Sequence, residues 1–416
     1  YKRSLDGGII WDSIVKLTNY CSVSVSTPSI WANSGKVYVV WHDDHDGYRR
    51  VYIRCSLDSG STWDTIKLLS DSNSALSNEY PVVFSRGKQV YVIWREKKND
   101  TLYYYNIYLR KSEDAGNNWS EIIKLGEAHS IYFSGAYYLP CPALGGDENY
   151  VLAVWAETSL TPESVSSIVL AKAADTVWVI NRMDFNEIVL FPTISVSSGR
   201  LYLTFCKLDS VDSMFEGYFF YSNDYGETWS AFYKFADSVD IVYGVPQVAS
   251  YDDFVAIVWS DYWDKLYYIY STDGGETWSQ PSYVDTQLIY GYSPTVWVSS
   301  DYVIHILWTY AGDNYEVYYT RISTQNVDEQ KYSMNYIKIM PTVTRGKCTI
   351  KIVRNRKGKI RINLYDIAGR KIKTLIDKRM QEGEYYYQCD FSGLKTGIYF
   401  VKDEITNQTT KMIIIK

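Results

Sequence analysis

The chain of 416 residues is poor in the side chains that most metal and redox chemistry requires, with four histidines and six cysteines. His42, His45, His129 and His305 have no metal-ligand spacing, so no metal is expected. No cofactor is expected either, because phosphate-cradling glycine loops and Ser-His-Asp arrangements are not found. Six cysteines are too few for a disulfide scaffold. Cys348 with Cys389 and Cys141 with Cys206 are two pairings that remain open, with buried free thiols as the alternative. No run of eighteen apolar residues occurs, which excludes a membrane-spanning helix. No charged-then-apolar leader opens the chain, which leaves a cytosolic protein or a processed one. Surplus positive charge is lacking as well. The formal net charge is −6, which argues against a nucleic-acid partner.

What the chain has is aromatic residues, 41 of them tyrosine, and repetition. Four copies of S-x-D-x-G-x-x-W begin at Ser56, Ser112, Ser222 and Ser271. Their defining residues are Asp58, Gly60 and Trp63; Asp114, Gly116 and Trp119; Asp224, Gly226 and Trp229; and Asp273, Gly275 and Trp278. The Asp binds amides of its own turn, the Gly supplies a positive φ, and the Trp buries a large apolar surface. A second marker runs in parallel. Pro28, Pro81, Pro142, Pro192, Pro246 and Pro294 each precede, by some ten residues, a strand ending in an aromatic, such as Val37-Tyr38-Val39-Val40-Trp41. The period is roughly 50 residues, that of propeller blades. With four short strands per unit, the expected fold is an all-β, six-bladed β-propeller over 1–324. The third unit is degenerate, keeping Asp175 and Trp178. The sixth lacks a box and a fourth strand. Trp11-Asp12-Ser13-Ile14-Val15-Lys16-Leu17 matches Trp63-Asp64-Thr65-Ile66-Lys67-Leu68-Leu69, so residues 10–17 are expected as the outer strand of the blade begun near Pro294.

Beyond a linker at 325–334 the aromatic density falls, and seven short strands follow in 335–416. That pattern fits an immunoglobulin-like β-sandwich. Charge divides at nearly the same place. From Ser333 onward there are 18 basic and 7 acidic residues, a net of +11, which leaves 24 and 41, a net of −17, in 1–332. A basic tail on an acidic ring favours association, and self-association of tail against ring is expected. Docking of the tail on lipopolysaccharide is the competing use.

The four boxes resemble the Asp-box (BNR) repeats of the sialidase-like propellers. In those proteins the boxes join third and fourth strands, on the face opposite the active site. The resemblance implies structural boxes and calls for a sialidase arginine cluster at the blade openings. Here the first opening reads Ser26-Thr27-Pro28, and the others, among them Glu79-Tyr80-Pro81 and Leu190-Phe191-Pro192, also lack Arg. No catalytic residue is therefore assigned, and no sialidase activity is expected. The C-terminal residues resemble the sorting domain of the bacterial type IX secretion system. Leu364-Tyr365-Asp366-Ile367-Ala368-Gly369-Arg370 and Gly397-Ile398-Tyr399-Phe400-Val401-Lys402 carry that likeness, which implies a secreted protein of the bacterial cell surface. Such a protein would act by binding or assembly.

At the other mouth of the ring, the loops carry the candidate ligand-binding residues His42, Asp43, Asp46, Arg95, Glu96, Glu157, Asp261, Trp263 and Tyr310. Aromatic rings beside carboxylates suit a glycan. A glycoside-acting enzyme is the rival reading. It requires two carboxylates about 5 to 9.5 Å apart across the mouth.

Overall fold

Short runs of β-branched and aromatic residues, cut by Gly, Asp and Asn turns, dictate strands here. No helix occurs among the described residues, so none is long and apolar enough to cross a membrane. The computed structural model describes residues 1–18, 26–45, 47–74, 76–98, 104–133, 136–138, 140–158, 166–174, 177–209, 214–240, 245–261, 265–284, 291–311, 315–323, 336–340, 343–344, 346–354, 358–367, 369–381, 383–404 and 409–415. The chain forms two compact units, Tyr1–Ile322 and Ser323–Lys416.

The first unit contains the six expected sheets, each an antiparallel meander. Sheet one holds β1 (Ser26–Asn33), β2 (Lys36–Asp43), β3 (Arg50–Ser56) and β4 (Lys67–Leu68). Sheet two holds β5 (Asn78–Arg86), β6 (Gln89–Lys97), β7 (Tyr104–Ser112) and β8 (Ile123–His129). A small hairpin, β9 (Ile131–Phe133) with β10 (Ala136–Tyr138), leads to sheet three: β11 (Ala143–Gly146), β12 (Val151–Thr158), β13 (Ser166–Ala173) and β14 (Val179–Phe185). Sheet four comprises β15 (Val189–Ser197), β16 (Arg200–Leu208), β17 (Phe215–Ser222) and β18 (Tyr233–Ala236). Sheet five comprises β19 (Gln247–Tyr251), β20 (Phe254–Ser260), β21 (Leu266–Ser271) and β22 (Ser282–Tyr283). The sixth has three strands, β23 (Gly291–Val298), β24 (Val303–Ala311) and β25 (Tyr315–Ser323).

The second strands read as continuous apolar runs because each lies between two neighbouring sheets. β6 and β12 bury Trp94 and Trp155 completely, and truncating either to Ala would cost about 3–5 kcal/mol. Each apolar cluster of the ring joins adjacent sheets. One runs from Tyr91 and Ile107 to Trp155 and Val169, another from Phe219 to Ile257. Arginines on third strands tie sheet to sheet. Arg54 donates to Asp64 O (2.7 Å) and to Leu17 O (2.9 Å). Arg110 repeats this with Ser120 O (2.7 Å) and Leu69 O (3.0 Å).

All four boxes form the expected turn. In the first, Gly60 N–H donates to Ser56 Oγ (2.8 Å), while Asp58 accepts from the Thr62 amide (2.8 Å) and hydroxyl (2.6 Å). The Thr62 hydroxyl and amide, then Ser56, hold the Asp58 carboxyl down at about 2. A fifth box, not recognised in the sequence, lies at Ser4-Leu5-Asp6-Gly7-Gly8-Ile9-Ile10-Trp11 and makes the same two backbone-amide bonds, without the hydroxyl bond that Thr62 adds. Gly8 N–H donates to Ser4 Oγ (2.8 Å) and Ile10 N–H to Asp6 Oδ1 (2.9 Å).

That box changes the expected closure. Residues 10–17 do not form the outer strand of the sixth sheet, which ends at β25. Their backbone partners are their own preceding residues. Tyr1 and Val15 exchange both bonds, and Asp12 N–H donates to Arg3 O. The segment therefore brings its own third-strand end, box and fourth-strand segment.

In the second unit, one sheet orders β26 (Tyr336–Met340), β28 (Lys347–Arg354) and β31 (Gly383–Asp390). The other orders β27 (Val343–Thr344), β33 (Thr409–Ile414), β32 (Gly397–Asp403), β29 (Gly358–Asp366) and β30 (Lys371–Met380). Both contribute to one core, in which Ile350 and Ile352 meet Ile362, Val401 and Met412. β27 runs parallel to β33, and every other neighbour pairing among the described residues of this unit is antiparallel. The two disulfide pairings considered above are not formed. Cys141, Cys206, Cys348 and Cys389 are free thiols, although Cys348 and Cys389 face each other in register across β28 and β31.

Candidate functional site

The two ends of the ring are built differently. At one end the boxes fold onto the first hairpin of each sheet, with Ser59 N–H donating to Gly35 O (2.6 Å) and Ala115 N–H to Lys88 O (2.8 Å). The other end carries the blade openings, where the strand register slips at the proline. The slips fall between Ser26 and Ser29, Glu79 and Val82, Leu190 and Thr193, and Tyr292 and Thr295. The residue before the proline is left-handed at all four: Thr27 (φ 47°), Tyr80 (52°), Phe191 (52°) and Ser293 (48°). A non-glycine residue held there stores roughly 1–3 kcal/mol. Such repeated bulges re-aim side chains at the rim.

The bulge in β5 assembles the central cluster. It sets Glu79 opposite Arg95. Arg95, wholly buried, donates to Glu79 Oε2 from Nη2 (2.8 Å) and Nε (3.3 Å), and to Pro140 O (2.8 Å). The same guanidinium lies 4.0 Å from the Tyr80 ring centre and 5.0 Å from that of Tyr105. Arg49 reaches Glu79 Oε1 at 2.5 Å. Burial pushes the Glu79 carboxyl up, but Arg95 and then Arg49 outweigh it, and it lies below its ordinary value.

His42 adjoins this pair. Its Nδ1 is 2.9 Å from Thr27 Oγ1 and accepts from Tyr80 N–H (3.4 Å). Burial drops its pKa to about 4, against the pull of Glu79. A neutral imidazole fixed by two neighbours at one nitrogen is a positioned group.

Asp43 is buried and accepts from Trp41 Nε1 (3.0 Å) and the His45 amide (3.3 Å), and also meets the His45 ring. Glu96 is buried beside Asn78 and accepts from Ser74 Oγ (3.0 Å), its pKa raised by burial. Glu157 pairs with Arg182. Asp261 closes its own loop by accepting from Lys265 N–H (3.0 Å). Tyr310 stands opposite Gly291 in β24. Asp46 and Trp263 lie outside the described residues. Of the candidates, His42 and Arg95 come together around Glu79 and Tyr80; Glu157, Asp261 and Tyr310 stand on other sheets. Among the described residues, no three His, Cys, Asp or Glu side chains gather as a metal site.

Sequence reasoning missed Glu79, Tyr80 and Arg49. The signal lies in the opening Glu79-Tyr80-Pro81 itself, which carries a carboxylate where the resemblance calls for arginine.

Comparison with known proteins agrees with this architecture. Residues 338–416 match the family described as the secretion system C-terminal sorting domain. The tail is that sorting domain, and it marks a protein carried by the type IX system to the cell surface or beyond. No curated protein matches the chain. Among solved structures, the α-L-arabinanase of Penicillium chrysogenum, complexed with arabinobiose, is 14% identical, with 73% of this chain and 94% of that one covered at a TM-score of 0.52. The α-L-arabinofuranosidase of Fusarium graminearum, in complex with an iminosugar inhibitor, is 15% identical, with 74% and 96% covered at 0.53. A Hadza microbial sialidase is 14% identical, with 73% and 66% covered at 0.50. These likenesses establish a sialidase-like β-propeller fold.

Proposed function

We propose that this secreted protein holds a neutral glycan at the end of the propeller opposite the boxes and does not cleave it. Arg95 carries the reading. Its guanidinium is engaged by Glu79, the Pro140 carbonyl and two tyrosine rings, so a substrate carboxylate meets no free guanidinium fork there. Other cations at this end face carboxylates too: Arg49 with Glu79, Arg182 with Glu157, and Lys207 with Glu187. Paired charges leave hydrogen-bonding edges suited to hydroxyls, and the Tyr48 ring, with the Arg50 guanidinium 5.3 Å from its centre and 45% of its surface exposed, offers a stacking surface. The arabinan- and sialoside-related enzymes that share the fold support a sugar as the ligand class.

Titration calorimetry with arabino-oligosaccharides and sialyllactose, alongside a reducing-sugar assay, tests this. Binding of the neutral oligosaccharide, weakened at least fivefold by Tyr48→Ala, with no new reducing ends, is expected. Release of reducing sugar that disappears in Asp43→Asn would establish the glycosidase alternative instead. A second reading, self-association of the basic tail with the acidic ring, is favoured by the charge division of +11 against −17.

A further inference from the structure

Seams between neighbouring sheets of the ring follow one pattern at the box end. The box glycine of the later sheet presses on the third strand of the earlier one: a Cβ at Gly226 would overlap Leu170, and one at Gly275 would overlap Phe219. The same holds at the seam where residues 1–17 rest on β25, with Gly8 against Tyr319. Leu170 and Phe219 each stand three residues before the end of their strands, and their counterpart on β7 is Leu109. The seam between sheets two and three departs from the pattern. There the third strand is followed by Ala174-Asp175-Thr176-Val177-Trp178, with neither the Ser nor the Gly of a box and four residues ahead of the Trp where the boxes have six. Leu109 lines a cleft of about 340 Å³ together with Lys111, Glu113, Trp119, Ile123 and Trp178. That volume lies in the range of small-ligand sites.

What the cleft lacks is a ring. At the seam between sheets four and five, Tyr233, four residues after the box Trp229, stacks on Trp278 with centroids 5.5 Å apart and planes 6° from parallel. Four residues after Trp119 stands Ile123, which has no ring to offer Trp178. Trp119 is held by its own turn, its Nε1–H donating to Gly116 O (3.2 Å). Charges beside the cleft answer one another. Lys111 pairs with Glu113 (2.5 Å), and Asp114 accepts from the Ser112 hydroxyl (2.9 Å), the Asn118 amide (2.8 Å) and the Asn118 side chain (2.6 Å).

We propose that this cleft binds a neutral sugar ring, stacked on Trp178 in the place that Tyr233 fills against Trp278. The apolar C–H face of a sugar suits the tryptophan, and its hydroxyls suit the oxygens and N–H groups of Glu113, Asp114 and Asn118. A phenyl ring would leave those polar groups without partners, an anion would meet two carboxylates, and a cation would meet Lys111. The site belongs to the box end of the ring and stands whether or not the mouth binds a sugar.

The test uses the isotope-labelled full chain and the indole N–H resonance of Trp178, assigned by its loss in Trp178→Phe. L-Arabinose, D-galactose and D-glucose are titrated in, with p-cresol as the mimic of a tyrosine side chain. A saturable shift of that resonance by at least one sugar is expected. Ile123→Tyr, which supplies the missing ring, should weaken that sugar about tenfold or more while leaving Tm unchanged or raised. A resonance that no sugar moves, or an affinity that Ile123→Tyr leaves intact, would overturn the proposal. Affinity lost through Tyr48→Ala alone would overturn it in favour of the mouth, and saturation by p-cresol without response to any sugar in favour of an aromatic side chain of a partner.

Discussion

His42 is a buried imidazole whose low pKa ties the stability of the ring to pH. Thr27, Tyr80, Glu79, Asp43, Arg49 and Arg95 surround it, and burial holds its pKa near 4. The unfolded chain binds that proton near pH 6.5 and the folded chain does not until about pH 4. Its contribution to stability is complete above pH 6.5 and is lost as pH falls through 4. His305, also depressed by burial, adds to the same slope. Calorimetry at pH 7, 5.5 and 4 should show Tm falling by several degrees, and the fall should be smaller in His42→Gln. An unchanged fall would place the effect elsewhere. The blade openings were legible in the sequence, whereas the pairing of Glu79 with Arg95 was not. An unbroken register, like that of Val82 with Ile93, would set Glu79 opposite Glu96; the slip at Tyr80-Pro81 moves it to Arg95. One residue of bulge decides whether the pair is attractive or repulsive.

Among the elements, the boxes were the most legible because side chain and backbone close the turn within eight residues. Spacing alone marks four of them. The fifth is masked by the likeness of residues 11–17 to the strand after a box, and its Ser4 and Asp6 stand at the very start of the sequence. The outer strands were the least legible. β4 and β22 have two residues each, too few for alternation to register. Gly8 provides a test of the seam. Its φ is +87°, and a Cβ there would overlap the Tyr319 ring; Gly47 has φ +92° with open space around it. Gly47→Ala should cost about 1 kcal/mol for backbone alone. Gly8→Ala should cost about 2–4 kcal/mol in urea denaturation, since the ring must also move. Equal costs would mean that the fifth box does not rest on β25.

For the molecule as a whole, composition gave the division into ring and tail. Seven short strands are expected over 335–416, and eight, β26 to β33, stand there among the described residues. Sheet order in the tail could not be read from a single sequence, because β27 joins β33 across almost the full length of the unit. The opposite charges of the two parts argue that molecules attract one another tail to ring, through salt-screened contacts. Light scattering of the full chain should show association that grows with concentration at low salt and is absent at 0.5 M salt. Chain ending at Thr324 should stay monomeric throughout. A full chain that is monomeric under all these conditions would remove this reading.

The arginine ties between sheets also impose an order on synthesis. Leu17 offers its carbonyl before Arg54 exists, and Leu69 before Arg110. As the chain emerges from the ribosome, residues 1–17 wait for an arginine of sheet one, and sheet one for an arginine of sheet two. These first two seams therefore close from the later side, each fastening what was made before it.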